Sequence, residues 1–491
     1  MVNNNKFKNC LKSGVCIIAL MSMSLSYANA TEITPETTMP GPAKMITWNQ
    51  NAAMTTTMSD QEMTQTAELT PDHEKYFESA LSLKDAIVLF LQKNPSIKKA
   101  HHNREAVQQE RNQVKAEFLP TVDAEASTGR EYKNRDAANP TTTERFISNF
   151  TIRGRQNLFR GFASVGQSKR QRLRTISASE RISSQSEFRG LDAVESYVET
   201  YQQRELLEVS EANIQTHMAT FVKIKDRVDA GTSNYAELNK AEARLELAKS
   251  TYYTNIDALQ EAEARFESII GVPPQKITRP ELATQYLPKT IEEAIALAQL
   301  HNPNLLALKA DIEAAEHNIT VQTAGFFPTV DLELDATRSH NQSGVSEVDR
   351  EIEGRVVGRY NLFNGGRDAA LRKEAIARYE EAKSLYNEEL KNVEQEIRTA
   401  WGIYQSTQTN VPIVKKYVSA NVRVRDLYIE QFNLGKRSLL NVLDGENELF
   451  QSRRELITIM NSNVFAGYRL VATTGHLLKS FDVELPQAKA V

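Results

Sequence analysis

The sequence predicts a mainly α-helical protein with a small β part: a duplicated chain of long coiled-coil helices carrying two short hairpins. Three observations lead there. The chain repeats itself across most of its length, each repeat has a long helical stretch almost free of proline, and each has a segment where apolar and polar residues alternate.

The repeat comes first. "AEFLPTVDAEAS" from Ala116 and "AGFFPTVDLELD" from Ala324 lie 208 positions apart, and "LKDAIVLFLQKNPSI" from Leu83 faces "IEEAIALAQLHNPNL" from Ile291 at the same offset. Beyond the alternating segments the offset becomes 204: "NLFRGF" from Asn157 faces "NLFNGG" from Asn361, Gly231 faces Gly435, and Gly271 faces Gly475. A constant offset over so long a stretch requires elements of equal length, as helices packed side by side demand. The four-residue change falls between the strand segments, where a surface loop absorbs it.

The helices follow from spacing. From about Gly161 to Ala230 and from Arg367 to Leu434 the one proline is Pro412. Tyr386, Leu390, Val393, Ile397, Ala400 and Tyr404 step by four and three, as do Leu191, Val194, Val198 and Tyr201, the pattern of a helix packing on helices. At 1.5 Å per residue such a helix spans roughly 100 Å. Gly231 and Gly435 fit helix ends, each followed by a second helix of about ten turns.

The strands follow from period two. In "VDLELDAT" from Val330, Val330, Leu332, Leu334 and Ala336 alternate with Asp331, Glu333, Asp335 and Thr337. "REIEGRVVGRYNLF" puts Ile352, Val356 and Tyr360 on one face and Glu353, Arg355 and Arg359 on the other, and the first half echoes this with Val122, Ala124 and Ala126, then Phe146, Phe150 and Ile152. Pro120 and Pro328 end the preceding helices and start the strands. The alternation suits strands with one side in lipid, or a soluble hairpin packed on helices. Two hairpins make four strands, where about eight are needed to close a small barrel. Open edges are not tolerated in lipid, so membrane strands here require several chains to share one barrel.

Composition bounds the rest. The 491 residues are 40% apolar and 25% charged, with a formal charge of −4. Lys6, Lys8 and Lys12, an apolar run from Gly14 to Leu25, and Ala28-Asn29-Ala30 read as a secretory signal peptide, with a membrane anchor disfavoured by the short run. Losing its three lysines takes the charge to −7, which argues against nucleic acid as a partner. Cys10 and Cys16 both lie in that peptide, so the mature chain has no thiol chemistry. Cys16 follows Val15, which does not suit lipid attachment. No GxxxxGK[ST], HExxH or GxSxG motif occurs and the eight histidines are scattered, so neither an enzyme nor a cofactor or metal is implied. The expected boundaries are a signal peptide at 1–30, a flexible lead-in at 31–80, helices at 81–117, a hairpin at 118–160, and long and return helices at 161–288. The second half repeats them at 289–325, 326–363 and 364–478, and a tail occupies 479–491.

With the duplicated layout, the "YNLFNGG" junction and "FNLGKRSLLNVLDGENELFQSRREL" from Phe432, the chain resembles the TolC-like outer membrane exit ducts of Gram-negative bacteria, from about Leu83 to Leu478. The resemblance implies a homotrimer with twelve strands in one outer-membrane β-barrel and a helical tunnel in the periplasm. It implies barrel–helix junctions at Pro120, Pro328, Gly161 and Gly365. The turns at Gly231 and Gly435 become the inner tip, where a periplasmic adaptor (membrane fusion) protein docks, energised by an inner-membrane ABC or other pump. Asp444 takes the place of one constriction acid, Asn441 that of a second, Arg437 that of a basic residue tying neighbouring helices shut, and Glu237 that of its acidic partner. Phe432 replaces a frequent Tyr. Three chains around an axis would make each inward acid a ring of three that favours cations. "ASTGREYKNRD" from Ala126 resembles the ducts of type I protein secretion, which is the expected function. A drug or small-molecule efflux duct is one alternative, and a structural coiled-coil envelope protein without a pore is another.

Overall fold

The computed structural model describes residues 80–135, 141–341 and 347–483; the expected signal peptide, the lead-in up to residue 79 and the tail from 484 lie outside the described residues. The chain opens with α1 (Leu83–Lys93) and α2 (Pro95–Ala116). Ser82 and Asp85 form a reciprocal capping box on α1, and Asn94 caps α2 ahead of a proline in its first turn. A hairpin of β1 (Thr121–Arg135) and β2 (Thr141–Arg160) leads to α3 (Ala163–Asp229) and its return helix α4 (Tyr235–Ile270). The second half repeats the series: α5 (Ile291–His301), α6 (Pro303–Thr323), β3 (Thr329–His340), β4 (Val348–Arg359), α7 (Arg367–Asn433) and α8 (Leu439–Thr473). A single turn, α9 (Leu477–Ser480), follows.

The long helices α3 and α7 have 67 residues each, as the constant offset requires, and α7 continues through Pro412. Pro120 and Pro328 stand between helix and strand in both halves. The strands form one antiparallel sheet in the order β1-β2-β3-β4, with a bulge in β2 between Asn157 and Phe159. β1 and β4 are its unpaired edges. The four-residue offset change does lie in the hairpins: β1 and β2 are 15 and 20 residues long, β3 and β4 12 each.

Register sorts the faces. Ala124 lies opposite Ile152, Ile152 opposite Ala336, and Ala336 opposite Ile352, so the four apolar sets share one side of the sheet. That side is bare: Ile352 is 89% and Val356 67% exposed, whereas Asp331 on the other side is 1% exposed.

Three apolar clusters hold the helices together. The largest joins α1, α3, α4, α8 and α9 around Ile87, Phe90, Tyr197, Phe266, Tyr468 and Leu477. There the Tyr197 hydroxyl lies 2.8 Å from both Leu81 O and Thr278 O, binding the linker after α4 to the start of α1. A second cluster joins Ala294, Ala298, Leu305, Val393 and Ile397 of α5, α6 and α7. The third lies at the tip, where the long helices turn back.

Candidate functional site

The tip is made by two turns of the same design. Gly231 and Gly435 have φ of 69° and 70°, just past the ends of α3 and α7. The amide of the following residue then reaches back to satisfy a helical carbonyl: Thr232 N to Arg227 O at 2.8 Å, and Lys436 N to Gln431 O at 2.9 Å. A Cβ at either glycine would meet nothing within 4 Å, so the left-handed backbone alone demands glycine here.

Behind the turns, Ile224, Ala241, Phe432, Leu439, Val442 and Leu443 pack as a small core. Two arginines lie over its aromatic rings: Arg227 4.6 Å from the Phe432 centroid and Arg437 4.3 Å from that of Tyr428. Phe432 therefore presents its ring face to Arg227. Arg437 Nε also donates to Gln431 Oε1 at 3.0 Å.

The expected pairing of Arg437 with Glu237 does not occur within the chain. Glu237 caps its own helix, accepting from Ser233 Oγ at 2.5 Å, while Asn234 Oδ1 accepts from the Glu237 amide at 2.9 Å. Local geometry wins because these partners are three or four residues away and cost little ordering entropy. Asn441 is likewise held locally, accepting from Ser438 Oγ at 2.9 Å.

Asp444 is not a lone acid: Arg244 of α4 lies 3.3 Å from it. Two residues further along α8, Glu446 is buried, which lifts its carboxyl above the usual carboxylate range, and Arg425 at 3.5 Å partly offsets this. Spacing along a single helix could not have found Arg244, Arg227 or Arg425, since each meets its partner across a helix pair.

At the other end, the polar face of the sheet carries a ladder of charges. Asp331 accepts from Arg155 at 2.6 Å, Arg359 at 2.8 Å and Asn157 at 2.7 Å. Glu333 meets Arg359 at 2.8 Å and Arg355 at 3.3 Å, and Asp335 meets Arg153 at 2.9 Å and Arg355 at 3.2 Å. The alternation in "TIRGRQ" from Thr151 was the signal for the β2 arginines. Opposite charges facing each other across three strands pin the register and leave the face close to charge balance.

Of the junction glycines, Gly161 has a φ of 58° and no room: a Cβ would lie 2.6 Å from Ala324 O and 2.8 Å from Phe327 Cβ. Gly365, at 67°, has nothing within 4 Å. Among the described residues no helix is long and apolar enough to cross a membrane, and no group of three or more His, Cys, Asp or Glu could hold a metal ion.

A sheet with one bare apolar face and one charged face, standing on paired helices about 100 Å long, defines a protomer of a channel-tunnel. The chain belongs to the outer membrane efflux protein family, whose model matches residues 86–272 and 294–476, once per repeat. It is 24% identical over 339 residues to the outer membrane efflux protein BepC of Brucella suis biovar 1, covering 69% of this chain and 74% of that one. It is 24% identical over 414 residues to the proteases secretion protein PrtF of Dickeya chrysanthemi, covering 81% and 89%. The CmeC outer membrane channel of Campylobacter jejuni superimposes with a TM-score of 0.72 at 15% identity, over 83% of this chain and 88% of that one. The protein is thus an outer-membrane efflux channel, of a family of channels rather than enzymes, with its helical tunnel in the periplasm. In a membrane strand the apolar side is the one that suits lipid and the charged side the one that suits water.

Proposed function

We propose that this chain is the passive exit duct of a tripartite export system, working as a homotrimer, and that it serves type I protein secretion. The observation that carries the trimer is the uncovered side of α7. Ile413, Val424 and Leu427 lie on one face of that helix and are exposed in the single chain, while β1 and β4 are free sheet edges that lipid cannot satisfy. The repeat supplies the docking: the packing of α3 on α8 inside one chain recurs as α7 on α4 of the next, and β4 pairs with the neighbour's β1. Twelve strands then close one barrel.

The turns at Gly231 and Gly435 dock a periplasmic adaptor, and an inner-membrane ABC or other pump supplies the energy. Around the axis Asp444 and Asn441 line the constriction. Arg437 holds the closed state through Tyr428 and Gln431, and Glu237 and Phe432 support it. The likeness to PrtF, named for protease secretion, and the strand-loop sequence "ASTGREYKNRD" favour protein cargo. The likeness to BepC favours small-molecule efflux as the second reading.

A deletion strain should lose secreted proteins from the medium. Unchanged secretion with new drug sensitivity would overturn the cargo in favour of the second reading. For the gate, Arg437→Ala should raise single-channel conductance in planar bilayers, and Arg244→Ala should raise cation selectivity by releasing Asp444. An exposed pair contributes about 0.2–1 kcal/mol, repeated three times around the axis. Parental conductance and selectivity in both variants would move the gate away from the tip.

A further inference from the structure

The lipid side of the sheet changes character near its outer end. Beyond the row of Ile152, Ala336 and Ile352 comes a row of Phe150, Arg338 and Arg350, paired in register across β2, β3 and β4. Arg338 and Arg350 lie directly opposite each other, both exposed, on the same side as Leu334 and Val356. Like charges so placed destabilise a sheet.

Nothing described in the chain relieves them. Six other arginines of the sheet (Arg130, Arg153, Arg155, Arg160, Arg355 and Arg359) each have a carboxylate within 4 Å. Among the described residues, Arg338 and Arg350 have neither an ion pair nor a hydrogen bond from their side chains. The connection from β3 to β4, residues 341–347, carries one acid, Glu347, and it makes no ion pair with either arginine among the described residues. The neighbouring acids Asp349 and Glu351 alternate onto the lumen side.

Height decides what an anion here could be. Nine residues separate Thr329 from Arg338, about 30 Å along a strand, and a tilt of about 40° brings this to roughly 23 Å above the sheet's start, close to the height of an apolar membrane band. All helices leave from the opposite end of the strands, on the periplasmic side, so this row stands at the outer leaflet. Phe150 is exposed in this same row, and Phe146 and Tyr132 are exposed on the same side further out along β2 and β1, as in an interfacial aromatic girdle.

We propose that Arg338 and Arg350 clamp a phosphate group of lipid A, the phosphorylated glycolipid of the outer leaflet. Two guanidinium groups on adjacent strands offer paired N–H donors to one phosphate, the arrangement arginine serves best. The bound anion turns the repulsion between them into a shared contact, and the aromatic residues beside them rest at the boundary between headgroup and acyl chains. The proposal rests on the barrel reading.

The test uses the full chain purified in detergent, as parent, as R338Q/R350Q and as R130Q, whose charge Glu144 already holds at 3.3 Å. Native mass spectrometry measures retention of bis-phosphorylated lipid A, of its dephosphorylated form and of phosphatidylglycerol. The parent should retain the phosphorylated glycolipid, R338Q/R350Q should retain at least tenfold less, and R130Q should match the parent. Equal retention by the double variant, or of the dephosphorylated form by the parent, would overturn the clamp. Equal retention of phosphatidylglycerol would overturn the glycolipid as the occupant. If R338Q/R350Q fails to assemble, R338K/R350K takes its place, keeping the charge but not the paired donors, and should retain severalfold less; parental retention overturns the clamp. Bilayer insertion is recorded on the same samples. A parent that binds nothing and does not insert would sink the barrel reading itself, whereas a parent that inserts without binding sinks the clamp alone.

Discussion

The two halves share their elements and lengths, yet they bury them differently. Twenty residues of α3 are buried within the chain and only six of α7, although each helix has 67 residues. α3 is flanked by α2, α4, α6 and α8 of its own chain, while one side of α7 has no covering element. The residues follow suit: Leu427 of α7 corresponds through the repeat to Lys223 of α3, which bonds to Asn433 across the tip. A duplicated gene thus became one half packed within its own chain and one half that its own chain leaves open. The lesson is that equal periodicity does not mean equal burial, because burial depends on what lies next to a face.

The C-terminal ends differ in the same way. Glu187 of α3 is buried and accepts the amides of Leu477 at 2.8 Å and Leu478 at 3.3 Å, which ties α9 to the tunnel wall. Its counterpart in α7 is the exposed Lys391, and the counterparts of the two leucines are Pro273 and Pro274, which have no amide to donate. Only one half could build this contact.

The sharpest break in the comparison is at α7. Val424→Lys combined with Leu427→Lys, the latter copying the first half's own residue, should abolish the trimer on detergent sizing while leaving the protomer helical by circular dichroism. A parental trimer would mean that α7 does not face the next chain.

Next in size is the Glu187 contact. Burial, opposed by the two amides and Lys479, lifts this carboxyl from 4.5 to about 7. Between those values the docked segment keeps a proton that an undocked one releases, so the group's contribution is complete below pH 4.5 and is lost as pH rises through 7. Hydrogen exchange over residues 475–483 should show the parent gaining about 2 kcal/mol of protection relative to Glu187→Gln on going from pH 7.5 to 5. His476, held below its usual value by burial, Lys479 and His301, titrates in the opposite sense but is common to both proteins. A difference that does not change with pH would place the carboxyl in water.

The smallest effect compares the junctions. Gly365→Ala should lower stability by about 1–2 kcal/mol, the cost of a left-handed backbone. Gly161→Ala should cost about 1–3 kcal/mol more, because its Cβ also meets the backbone of Ala324. Equal melting temperatures for the two variants would remove the asymmetry.

The sequence by itself determined the duplication, the two long helix pairs, the glycine turns at their tips and the amphipathic sides of the strands. All of these are local: periods of 3.6 and 2, a left-handed residue, or a proline that ends a helix are written within a few neighbouring positions. Only the tertiary structure decided that Arg244 answers Asp444, that within the chain Glu237 is held by Ser233, and that Glu187 meets Leu477 290 residues away. It also decided that Arg338 and Arg350 stand opposite each other without a partner among the described residues. Such contacts depend on which helix or strand comes to lie beside which. No spacing within one element encodes that, because the energy of a charge is set by the groups around it in space, not along the chain.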